Sequence, residues 1–206
     1  MEEEQLELLK ELVNIGAGRA SQALNYMLNS HIDLEAPVVR WMPNADVTQI
    51  FEDISEWGLT DLSLIKMRII GELTGNAQLV FSDQDAAKLV AAMYGDSHQA
   101  VDENLNREAL NEIGNILING LIGSLGNMLG ISLAYRIPTY RKGKIGNLIL
   151  VEQDTPVIFS MIRFVIESLN VRGNFILTFE IESAKFLKEI LNRYMKSMME
   201  KRNYSA

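Results

Sequence analysis

Glu11-Leu12-Val13-Asn14-Ile15, with Pro37 beyond it, and Glu112-Ile113-Gly114-Asn115-Ile116, with Pro138 beyond it, share one arrangement. In both, the proline lies 23 positions after the asparagine. Glu-x-x-Asn also occurs at Glu103/Asn106, Glu108/Asn111, Glu167/Asn170, Glu189/Asn192 and Glu200/Asn203, and none of those has a proline at that offset. The chain holds only four prolines, so the register with proline carries more information than the pair itself. It makes the chain readable as two copies of one unit, each presenting a carboxylate and a carboxamide one helical turn apart.

Around the first pair, residues 3–29 lack proline, and Leu9, Val13, Ala17, Ala20, Leu24 and Met27 recur at three and four, the period of an amphipathic helix. Turn signals and β-branched or aromatic runs then predict strands over 32–41, 47–51, 62–73 and 77–81. Asp83-Gln84-Asp85 introduces a helix over 86–94, with its acids where the N-terminal dipole favours them and Gly95 as the stop. A polar link over 96–102 leads to the second cycle. The helical period returns over 104–129 through Leu110, Ile113, Leu117, Leu121, Leu125 and Met128. Strands are expected over 131–140, 145–151, 157–166 and 175–181, then a helix over 184–199 and a frayed tail from Lys201.

The later parts of the halves also correspond. Gly75-Asn76-Ala77-Gln78-Leu79-Val80-Phe81 resembles Gly173-Asn174-Phe175-Ile176-Leu177-Thr178-Phe179, and Ala87-Lys88-Leu89 aligns with Ala184-Lys185-Phe186. The offset drifts from 101 at the asparagines to 98 and then 97. The expectation is a single pseudo-twofold α+β domain over 1–206, internally duplicated as repeats of about 1–95 and 103–200.

Composition narrows the function. The 206 residues are 48% hydrophobic, ample for a core. No apolar run approaches the roughly 20 residues that span a bilayer, and Met1-Glu2-Glu3-Glu4 is acidic where a signal peptide is basic. A soluble cytoplasmic protein without membrane insertion is the simplest reading. Cysteine is absent, which excludes disulfides, thiolate metal sites and a cysteine nucleophile. His31 and His98 each stand alone and read as solvated loop residues rather than zinc ligands. A net charge of −8 argues against nucleic acid. The one basic stretch, Tyr140-Arg141-Lys142-Gly143-Lys144, reads as a solvated hairpin turn.

Three residues apart on a helix, Glu11 and Asn14 project from one face, and Glu7 and Gly18 extend that row. Glu112 and Asn115 lie the same way, extended by Glu108 and Asn119. The apolar stripes point opposite, so both pairs are expected in solvent. Ordinary polar residues on the wet side of a helix would look the same in periodicity. Recurrence in register with a proline at the start of a strand is what such a face does not require. Gly18 lowers the profile beside the first pair, which suits close approach by another protein.

At these residues the chain resembles the CheC/CheX/FliY family of chemotaxis phosphatases, with both pairs intact as in its CheC branch. The family pattern is Asp/Ser-x-x-x-Glu-x-x-Asn followed at a distance by Pro. Glu11, Asn14 and Pro37 match it in the first half, and Glu112, Asn115 and Pro138 in the second. Glu7 and Glu108 stand where the pattern has Asp or Ser. The resemblance implies a CheC-like fold, with two long active-site helices packed on a multi-stranded sheet. It implies hydrolysis of the aspartyl phosphate on a response regulator such as CheY. Asn14 and Asn115 would position the attacking water, and Glu11 and Glu112 would dock the regulator. No cofactor of its own is implied, since Mg2+ would sit in the regulator's acidic site, and CheD is a possible second partner. The alternative is a non-enzymatic binding module, as in the flagellar switch protein FliM, or a CheD adaptor. No Gly-rich phosphate loop or nucleophile–base pair points to a small-molecule enzyme.

Overall fold

The computed structural model describes residues 1–43, 61–94, 103–144, 148 and 156–203. In chain order its elements are α1 (Glu3–Leu28), β1 (Asp33–Leu34), β2 (Val38–Pro43), β3 (Leu62–Gly71), β4 (Gly75–Ser82) and α2 (Asp83–Tyr94). There follow α3 (Glu103–Leu129), β5 (Leu133–Tyr135), β6 (Thr139–Gly143), β7 (Pro156–Ile166), a 3-10 turn (Glu167–Leu169), β8 (Val171–Glu180) and α4 (Ile181–Asn203). The strand expected over 47–51, Gly95 with the link over 96–102, and all of 145–151 but Leu148 lie outside the described residues, as does His98.

The eight strands form one antiparallel sheet in the order β1-β7-β8-β4-β3-β5, with β2 also on β7 and β6 also on β3. The edge strands therefore cross over. Those that follow α1 pair with β7 of the C-terminal half, and those that follow α3 pair with β3 of the N-terminal half. The order reads the same from either edge. At its middle, Gln78 of β4 faces Ile176 of β8, two residues separated by the same 98 positions as Gly75 and Gly173.

Each of the two expected edge strands is broken at its proline. From Leu34 to Val38 the edge advances four residues while its partner moves three, from Phe164 to Met161. From Tyr135 to Thr139 the count against Ile69 and Lys66 is the same. One extra residue in the edge makes a bulge, and proline, with no N–H for the ladder, belongs there. A hydrophobic run cannot reveal this, because the break depends on which groups the partner strand leaves unpaired.

Strand periodicity divides the core between two faces. Ile65, Met67, Ile69, Leu79, Phe81, Ile162, Phe164, Leu177 and Phe179 are buried in one cluster with the stripes of α1 and α3. Met42, Leu62, Leu64, Val80, Leu148, Val157, Phe159 and Ile176 form a second, smaller cluster. Where α1 and α3 meet, small residues set the spacing: a Cβ on Gly120 would lie 2.9 Å from the Ala20 Cα, and one on Gly16 would lie 2.7 Å from Leu121 Cδ1. Gly173 is hemmed in by its cross-strand neighbours Phe81 and Phe164, whose rings meet edge to face at 5.5 Å. The missing side chain lets the two rings close over the strand.

Two local expectations change. Residues 140–143 are strand, not a hairpin turn, because β6 supplies the hydrogen bonds that the upper part of β3 lacks on that side. Two of the three cations of the stretch are matched locally: Lys142 Nζ lies 2.7 Å from Asp83 and Lys144 Nζ 3.1 Å from Asp61. The bond to Asp83 raises the Lys142 pKa. Helix α2 begins at Asp83, and the Asp85 amide donates to Ser82 Oγ at 3.0 Å, so Ser82 caps it. Among the described residues no helix is long and apolar enough to cross a membrane.

Candidate functional site

The sequence-derived site residues divide as their helices do. On α1, Leu9, Leu12, Val13, Gly16, Ala17 and Ala20 are buried, which leaves Glu11 and Asn14 on the open side. Ile15, 37% exposed, stands beside them, and nothing lies within 4 Å of where a Cβ on Gly18 would be. Glu7 is held by Lys10 at 3.4 Å, a pair one turn apart on the surface. Pro37 is buried just before β2. His31 is exposed, with Nε2 3.2 Å from Asp33.

On α3 the same face is less open. Glu108 and Glu112 are exposed, but Asn115 is half-buried, short of the full exposure expected for it. Gly114 accounts for its depth. A Cβ there would lie 2.4 Å from Ile65 Cγ2, so glycine lets the helix backbone settle onto β3 and takes Asn115 down with it. The bulge between β5 and β6 rises against this helix. Glu108, Asn111, Glu112 and Asn115 with Tyr135, Arg136, Ile137 and Pro138 line a depression of about 430 Å3. The fold thus brings Glu112, Asn115 and Pro138 to one concavity, although they span 27 positions of chain.

Tyr135, Arg136 and Ile137 of this depression were not picked out by pattern. Asn111, Asn115 and Asn119 form a four-residue ladder on α3, and Asn119 Nδ2 donates to Asn115 Oδ1 at 2.7 Å. Ile137, 87% exposed, and Tyr135 stand at the rim with Arg136 between them. The spacing of the asparagines was visible in the sequence; the rim was not, since it depends on the bulge.

A carboxamide suits the handling of water beside an anion, because it donates and accepts while staying neutral. A carboxylate one turn away can pair with a cation brought by another molecule. No part of the depression forms a closed pocket of the kind that engulfs a small substrate. What is exposed is an open surface: two long helices on an antiparallel sheet, each presenting Glu and Asn one turn apart.

That combination defines a class by its fold, an α+β domain with two long helices on an antiparallel sheet, and known proteins share it. Residues 4–40, which include Glu11, Asn14 and Pro37, match the CheC-like family. The chain is 26% identical over 142 residues to the CheY-P phosphatase CheC of Bacillus subtilis (strain 168), covering 67% of this chain and 66% of that one. The chain thus spans just under two thirds of this relative's length. Among solved structures, Thermotoga maritima FliY superposes with a TM-score of 0.74 at 19% identity, covering 94% of this chain and 98% of that one. The FliM middle domain from H. pylori gives 0.64 at 14%, covering 93% and 99%. CheX in the CheX-CheY-BeF3-Mg2+ complex from Borrelia burgdorferi gives 0.57 at 13%, covering 82% and 96%. The N-terminal part of the chain thus matches the CheC-like family, and the fold is shared with the FliY, FliM and CheX structures.

Proposed function

We propose that this protein stimulates hydrolysis of the aspartyl phosphate on a CheY-like response regulator. The observation that carries the reading is the Glu and Asn pair one turn apart on the outer face of α1 and again on α3, in register with a proline at the bulged sheet edge. The similarity to a CheY-P phosphatase and the shared fold with a CheX solved in complex with CheY support it.

An acyl phosphate is intrinsically labile, so the catalyst has chiefly to place a water in line with phosphorus. Asn14 and Asn115 do this by donating to and accepting from that water without adding negative charge. Glu11 and Glu112 face solvent and pair with a basic residue of the regulator, which docks the helix rather than abstracting a proton. Mg2+ is held by the regulator's own acidic site, where it neutralises the phosphoryl oxygens. Positioning of this kind contributes roughly a hundredfold or more in rate.

The test is the decay of a phosphorylated CheY-type regulator with and without the protein. Stimulated decay is expected, and Asn14→Ala combined with Asn115→Ala abolishes it while folding and regulator binding persist. Stimulation that survives in the double variant would sink the mechanism. Binding without any stimulated decay would favour the second reading, a non-enzymatic module, to which the FliM-like fold lends support.

A further inference from the structure

Asn115 does not hang free. Its Oδ1 accepts from Asn119 Nδ2 at 2.7 Å, one turn along α3. The counterpart of Asn119 in the first half, 101 positions earlier, is Gly18, which has no side chain to offer Asn14. Asn119 also holds a second anomaly: its own Oδ1 is buried and meets no hydrogen-bond partner. An unpartnered buried carbonyl destabilises a fold, so an apolar side chain would suit packing at this place better. The asparagine makes sense for what its other end does.

Resting on the proposed phosphatase reading, we infer that Asn119 is a positioning residue that fixes the rotation of the Asn115 carboxamide. A carboxamide without partners can turn about its last bond, exchanging oxygen and nitrogen with little change in shape. The bond from Asn119 couples the two amides, so the Asn115 group can exchange oxygen and nitrogen only if Asn119 turns with it. It turns the Asn115 oxygen toward Asn119 and leaves the Nδ2 hydrogens out of that bond, on a residue that lines the depression. The oxygen keeps a second lone pair for a hydrogen of water. A water at this site therefore meets donor and acceptor in a set order before the regulator arrives. Glycine at position 18 offers Asn14 no such bond. Preorganisation of this kind acts on turnover and not on the docking that precedes it.

The test isolates the second site in an Asn14→Ala background and follows decay of a CheY-type regulator phosphorylated with acetyl phosphate. Adding Asn119→Ala is expected to lower kcat about fivefold with KM unchanged, the scale of one neutral hydrogen bond. The melting temperature should hold or rise, because the unpartnered oxygen goes too. The reciprocal graft, Gly18→Asn in an Asn115→Ala background, places an amide one turn beyond Asn14 in open space and is expected to raise kcat through the first site. Unchanged kcat in both arms overturns the positioning role while leaving the phosphatase reading intact. Loss of kcat matched by loss of melting temperature also overturns it, in favour of a structural asparagine. A second site already silent in the Asn14→Ala background overturns it as well, since the orientation would then serve nothing. The phosphatase reading itself fails separately, through stimulation that persists without Asn14 and Asn115.

Discussion

At the scale of residues, the candidate site consists of short polar groups whose meaning depends on their surroundings. Glu11 and Glu112 are both exposed and each lies one turn from an asparagine. Their proposed work is docking, so charge reversal should act on association and leave the fold alone. Glu11→Lys with Glu112→Lys is expected to weaken binding of a beryllofluoride-activated regulator at least tenfold, about 1.4 kcal/mol or more, with an unchanged melting temperature. Titration by fluorescence or calorimetry checks it, and unaltered affinity would remove the docking role. These glutamates and asparagines were legible in the sequence because spacing on a helix fixes which side chains share a face. The half-burial of Asn115 was not legible. It comes from Gly114 against Ile65, a contact between residues 49 positions apart.

At the scale of elements, the helices were the plainest to read and the strand ends the least. Periods of three and four mark α1 and α3 within a residue of their observed ends, because an amphipathic helix writes its burial into local order. Edge strands depend on a partner elsewhere in the chain, so the breaks before Val38 and Thr139 and the strand at Thr139–Gly143 emerged only with the sheet. The contact of α1 with α3 gives a test at this scale. Gly120→Ala gains helix propensity of about 1 kcal/mol but sets its Cβ 2.9 Å from the Ala20 Cα, and backbone does not yield as a side-chain tip does. Overpacking costs about 1–3 kcal/mol, so net destabilisation is expected by urea melts. Equal or greater stability would show that the two helices have room to part. Because each helix bears one Glu and Asn pair in register with a proline, the same substitution also changes the spacing of the two surfaces.

At the scale of the whole molecule, the crossed pairing makes each half incomplete. Among the described residues, β1 and β2 have no strand neighbour without β7, and β3 has an open edge without β5 and β6. The core that joins α1, α3 and one sheet face is likewise drawn from both halves. We expect the full chain to unfold in a single transition, and residues 1–102 or 103–206 alone to show no cooperative melting by circular dichroism. A sharp transition in either half would show that the crossing strands are dispensable.

By itself the sequence determined the α+β class, the two long helices, the faces they present and the recurrence of Glu, Asn and Pro in register. All of these rest on local periodicity and on spacing that can be counted along the chain. Tertiary structure alone decided that the edge strands cross between halves, and that a bulge raises Arg136, Ile137 and Pro138 over α3. It also decided that Asn115 is sunk and held by Asn119 while Asn14 stands open beside a glycine. The physical reason is common to all three. Strand pairing, close helix approach and the depth of a side chain are set by partners distant in the chain, and no local pattern encodes which partner will be there.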